Sequence, residues 1–132
     1  MMRLSIIGLG AVVVALVTAA AVEIIREQRE VRDKAIVLTG GIPDSGRDAI
    51  GHFGCGSCHT IPGITGAQGL VGPSLDRMAN RVYIAGRLTN TPANLILWLM
   101  DPQSVSPGTA MPQTGLGPDD ARNISAYLYT LQ

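Results

Sequence analysis

The chain has 132 residues, with ten Lys and Arg balancing ten Asp and Glu, so its formal net charge is zero. That length fits one small domain and leaves little for a second, and the balance of charge offers no basic patch of the kind that binds nucleic acid. The apolar share is unevenly spread, because one N-terminal stretch accounts for much of it.

From Leu4 to Val22 no residue is charged, and at about 1.5 Å per residue a helix of this length spans roughly the hydrocarbon core of a bilayer. Two readings are open. Arg3 supplies the positive flank and Ala19-Ala20-Ala21 the small-x-small cleavage site of a signal peptide, with cleavage after Ala21. The apolar run is longer than the usual signal core, however, and continues without a break into the mixed-charge, helix-favouring segment Glu23 to Lys34. We therefore expect a single uncleaved transmembrane helix. The charge run reads as a solvated helix face laced by pairs such as Glu23 with Arg26 and Glu30 with Lys34.

Residues 1–38 form this anchor and its charged extension, residues 39–43 read as a linker containing Gly40, Gly41 and Pro43, and the globular domain is expected over 44–132. No stretch in it alternates with period two for long enough to make a convincing strand, so the fold class is all-α with long loops. Four helical pieces are expected. The first runs from about Ser45 to Cys55, capped by Asp44 or Ser45, and a short second follows Pro73 through Met78. In the third, Thr91 as N-cap and Pro92 at the first helical position open Ala93 to Met100, and Pro102 closes it. The last begins at Gly117-Pro118-Asp119-Asp120, where the acids suit the positive helix end, and places Ile124, Tyr127, Leu128 and Leu131 on one face.

Cys55-Gly56-Ser57-Cys58-His59 is Cys-x-x-Cys-His, the attachment pattern of c-type haem. Two thiols at this spacing form thioethers to the haem vinyl groups, and the adjacent imidazole meets the iron from one side. A structural zinc site would need four ligands, yet His52 is the only other Cys or His in the chain. A thioredoxin-like redox pair would need strands alternating with helices. His52 itself reads as a surface residue of the first helix. A buried macrocycle would also supply apolar surface to a domain whose loops, Pro62 to Gly72 and Asp101 to Gly117, leave a thin core.

The second axial ligand comes from a methionine, a second histidine or an open site. Met78 and Met100 lie inside expected helices and read as core filler. Met111 lies in Ser106-Pro107-Gly108-Thr109-Ala110-Met111-Pro112, a proline-stiffened loop far enough from His59 to reach the other haem face, and is the expected ligand. A thioether opposite an imidazole raises the reduction potential, and with both axial positions filled the group conducts electrons instead of binding a substrate.

Cys55 to His59, Val71-Gly72-Pro73-Ser74-Leu75 and Met111-Pro112 together resemble class I cytochromes c, over about Asp44 to Gln132. The resemblance implies a class I cytochrome c fold around one covalent haem, with the Pro73 carbonyl orienting the His59 imidazole. It also implies that the first and last helices cross, with Gly51 and Phe53 facing Tyr127 or Tyr129. The stretch Asn90 to Trp98, followed by Asp101-Pro102-Gln103-Ser104 and Met111-Pro112, is similar to the cytochrome c domain fused to subunit II of some caa3-type terminal oxidases. On that likeness Trp98 lines the haem pocket or reaches a propionate, although a lone tryptophan in an apolar helix is equally read as core.

The function expected is single-electron transfer in a respiratory chain, to or within a terminal oxidase, with a quinol-oxidising complex as the other redox partner and no small-molecule substrate. A haem subunit of a membrane dehydrogenase or reductase, and a haem-based sensor, are the alternatives. Counting Lys and Arg alone places four on the C-terminal flank of the span against Arg3 on the other. Covalent haem attachment, in the systems the motif resembles, takes place outside the cytoplasmic membrane, and this puts the haem domain on the periplasmic side. From Ile36 onward there are five arginines and no lysine against six acids, so long-range steering of partners is weak. An anchor compensates by raising the effective concentration of the domain near them.

Overall fold

The computed structural model describes residues 2–132, with side chains from Gly8 onward. The Arg3 charge, expected on the N-terminal flank of the span, lies outside the described side chains. Residues 1–31 and 32–132 form two compact units. Helix α1 (Met2–Thr39) has, over its apolar part, the length and composition to cross a membrane, and its Leu9, Val12, Val13, Val14, Leu16 and Val17 are all exposed. Its charged stretch carries the expected Glu23–Arg26 pair at 3.9 Å, but Glu30 pairs back with Arg26 at 3.2 Å instead of forward with Lys34.

The second unit contains α2 (Pro43–His52), a two-residue hairpin β1 (Tyr83–Ile84) and β2 (Leu88–Thr89), α3 (Pro92–Met100), α4 (Pro102–Val105) and α5 (Pro118–Tyr129). Its regular structure is helical apart from this hairpin, in keeping with the expected all-α class. The antiparallel hairpin, with Ile84 opposite Leu88, is too short to leave a period-two signature in the sequence. Thr91 caps α3 by accepting from the Asn94 N–H, and Asp101 caps α4 by accepting from the Ser104 N–H. The expected helix after Pro73 is displaced: a single 3-10 turn forms at Met78–Asn80.

The core is the crossing of α2 and α5, with α3 packed beside it. Ile50, Leu95, Ile124 and Leu128 are almost fully buried, and Met78 is core filler as expected. The small residue at the crossing is Gly46, not Gly51. A Cβ on Gly46 would collide with the backbone of Asn123 and Ile124, whereas one on Gly51 would meet open space. Phe53 packs half-buried against the core, Tyr127 donates its hydroxyl to the Pro62 carbonyl at 2.7 Å, and Tyr129 donates to Asn90 Oδ1 at 2.9 Å.

The segment expected as a linker is part of the fold. Ala35 and Thr39 of α1 are buried, the Ile42 N–H donates to Asn123 Oδ1 at 2.8 Å, and Gly41 lies against the Arg122 carbonyl too closely to admit a Cβ. Arg32 closes a bidentate bridge to Asp44 at 2.9 and 2.8 Å. The compact unit therefore begins at Arg32, ahead of the expected boundary at residue 44. Helix α2 likewise opens earlier, with Ile42 in the cap position and Pro43 in the first turn.

Candidate functional site

α2 ends at His52, and Gly54, in the left-handed region at φ 68°, turns the chain into a 3-10 turn over Cys55–Ser57. The Cys58 and His59 N–H groups both donate to the Cys55 carbonyl, at 3.3 and 3.0 Å, so the two thiols and the imidazole leave one tight turn. Both thiols are free and half-buried. Burial pushes the Cys55 thiol above its ordinary pKa, and its own backbone only partly offsets this. His52 is exposed and stacks edge-on against Phe53 at 5.2 Å.

The following loop folds back onto this turn through the Gly69 N–H to Gly56 O (3.0 Å), Gly72 N–H to Cys58 O (2.8 Å) and Leu75 N–H to Thr60 O (2.9 Å). These bonds bring Pro73 over His59. The His59 Nδ1 lies 2.7 Å from the Pro73 carbonyl. A carbonyl only accepts, so Nδ1 carries the proton and Nε2 keeps its lone pair for a metal. Gly72 seals the arrangement from the side: a Cβ there would come within 2.9 Å of Nε2 and 2.6 Å of Nδ1. The ring is thus fixed by a hydrogen bond on one edge and by bare backbone beside it.

Phe53, Ile64, Leu75, Ile96, Trp98 and Met111 pack half-buried against the core. Two thiols one turn apart and an imidazole with its outer nitrogen anchored suit a haem, and the half-buried side chains leave apolar surface for one to cover. Among the described residues no group of three or more His, Cys, Asp and Glu side chains gathers as a metal cluster. Trp98 and Met111, the pocket residue and the ligand expected from the sequence, are both among these half-buried side chains. Gln103, which the sequence placed only within a family-like stretch, hydrogen-bonds the Met111 loop directly. No periodicity or spacing signals that contact, since it depends on where the loop returns.

Two curated relatives are cytochrome c oxidase subunit 2 proteins: one from Alkalihalophilus pseudofirmus, 34% identical over 95 residues (71% of this chain, 27% of the relative), and one from Bacillus sp. strain PS3, 33% identical over 103 residues (75% and 29%). The chain spans less than a third of the length of these relatives. No solved structure matches. The family model for cytochrome c matches residues 45–132, from the third residue of α2 to three residues beyond α5, and such a domain implies haem and an electron-carrying role. The chain belongs to the cytochrome c family.

Proposed function

We propose that this protein is a membrane-anchored, mono-haem cytochrome c that passes single electrons in a respiratory chain, to or within a terminal oxidase. Cys55 and Cys58 would hold the haem through thioethers, His59 and Met111 would ligate its iron, Pro73 would orient His59, and Trp98 would line the pocket. When bound, the group supplies a one-electron ferric/ferrous couple. The chain's own contribution is to fix the imidazole, exclude water with half-buried apolar side chains and present a thioether on a constrained loop.

The observation that carries this reading is the 2.7 Å contact of His59 Nδ1 with the Pro73 carbonyl, beside a glycine that leaves no room for a side chain. A hydrogen-bonded outer nitrogen sets the tautomer and orientation of a ligating histidine. The oxidase assignment is supported by likeness to two proteins named as oxidase subunits. The extracytoplasmic placement of the domain is supported by the attachment motif, which outweighs the Lys and Arg count on the flanks of α1.

The test is the visible spectrum of the purified protein, oxidised and reduced, for wild type and Met111→Ala. The expected result is a low-spin c-type spectrum whose sulfur-to-ferric-iron charge-transfer band disappears in the variant. A high-spin wild type, or a band that survives the substitution, removes Met111 from the ligand set, and the high-spin result favours a ligand-binding or sensing role.

A further inference from the structure

The loop that carries Met111 is held by one side chain from the element before it. α4 is opened by Asp101, whose carboxylate accepts from the Ser104 N–H at 3.2 Å and from Gln113 Nε2 at 2.7 Å. From the second position of that short helix, half-buried Gln103 commits its entire amide to the loop. Its Nε2 donates to the carbonyls of Thr109 and Met111, each at 2.9 Å, and its Oε1 accepts from the Gly108 N–H at 3.1 Å. The two carbonyls require a donor and the N–H requires an acceptor, so the surroundings fix which way the amide faces. No carboxylate or hydroxyl could make all three bonds.

We propose that Gln103 is a positioning residue: it fixes the backbone of Met111 and so holds the thioether in place against exchange with outside ligands. This rests on the reading of Met111 as an axial ligand. Ser106 to Pro112 forms neither helix nor strand, and Gly108 stands at φ 81°; Pro107 and the Thr109 N–H to Ser106 carbonyl bond at 3.0 Å restrict its start, while the Gln103 amide is what reaches the carbonyl of Met111 itself. Freeing such a segment returns conformational entropy to it, and open forms withdraw the sulfur. An outside ligand then gains apparent affinity in proportion to the open fraction. Replacing a glutamine that merely stabilised the fold would lower the unfolding temperature without changing that fraction.

The experiment titrates the ferric, haem-loaded protein with imidazole and follows loss of the sulfur-to-iron band in wild type, Gln103→Ala, Gln103→Glu and Ser104→Ala. Losing the bonds to Thr109 and Met111 lowers the imidazole Kd of Gln103→Ala about tenfold. Ser104→Ala, which alters α4 without touching the loop, stays within about twofold of wild type. Gln103→Glu is acceptor-only when ionised and faces two carbonyls, so it loosens the loop at neutral pH and recovers toward wild type as its carboxyl protonates and regains a donor. Each Kd is taken as a ratio to wild type at the same pH, so that protonation of imidazole cancels. Wild-type Kd values in both Gln103 variants, with the band intact, overturn the proposal. Should Gln103→Ala fail to yield loaded protein, absence of pH-dependent recovery in Gln103→Glu overturns it. A wild type without the band, or Met111→Ala with it, overturns the underlying ligand reading instead, so the two failures are distinguishable.

Discussion

Replacing Gly72 by alanine puts a methyl group where the His59 ring lies. The added carbon falls 2.6 Å from Nδ1 and 2.9 Å from Nε2, so ring or loop must move by about 1 Å to restore ordinary contact, against the ~0.5 Å tolerance of a working site. Moving the loop carries Pro73 with it, and the 2.7 Å bond to Nδ1 is lost either way. Overpacking costs about 1–3 kcal/mol and the hydrogen bond about 1 kcal/mol, giving a loss of about 2–4 kcal/mol. For a unit near 100 residues that lowers Tm by about 10–25 °C. Circular dichroism of the haem-loaded protein reads the Tm, and the visible spectrum of the same sample reads the iron's ligation. A Gly72→Ala protein with Tm within about 3 °C of wild type and an unchanged spectrum would refute the argument that bare backbone is needed beside the imidazole.

At the helix crossing, Gly46→Ala drives a Cβ into the Asn123 backbone and should cost more than about 3 kcal/mol, since neither chain can yield as a flexible side chain would. Gly51→Ala, five residues on and facing open space, should be neutral or stabilise by about 0.5–1 kcal/mol through helix propensity; denaturant unfolding of the pair checks both, and equal effects would refute the crossing. Asp44 is held below the usual carboxylate range chiefly by its hydrogen bond from Arg32, with the Arg32 charge adding to it. A depressed folded-state pKa stabilises above the unfolded value, about 4, and the benefit is lost as pH falls through the folded value. The gap in stability between wild type and Asp44→Asn should therefore be present at pH 7 and shrink as pH falls below the unfolded value, vanishing once the folded value is passed. A gap constant over that range would show that the bridge does not couple to folding.

What the sequence displayed depended on how local the cause was. The α3 start was legible because Thr91 and Pro92 act on adjacent backbone, and the thiol–thiol–imidazole turn because five consecutive residues contain it. The Pro73 contact came through resemblance, and the geometry supplies its cause in the bonds from Gly72 and Leu75 back to Cys58 and Thr60. Gly51 was mistaken for the crossing residue because both glycines lie on α2, and only its rotational setting against Asn123 chooses between them. The supposed linker looked like a breaker cluster, yet Gly41 is small because Arg122 lies against it. Those partners are some 80 residues away in the chain, and no local pattern reports them.

The pairing of α2 with α5 also has a consequence in time. Synthesis proceeds from the N-terminus at about 5–20 residues per second, so Cys55 to His59 emerges roughly 3–14 s before the end of α5. Through that interval α2 lacks the helix it packs on. The attachment turn is therefore made before the helix crossing that completes the core, which waits for the last helix.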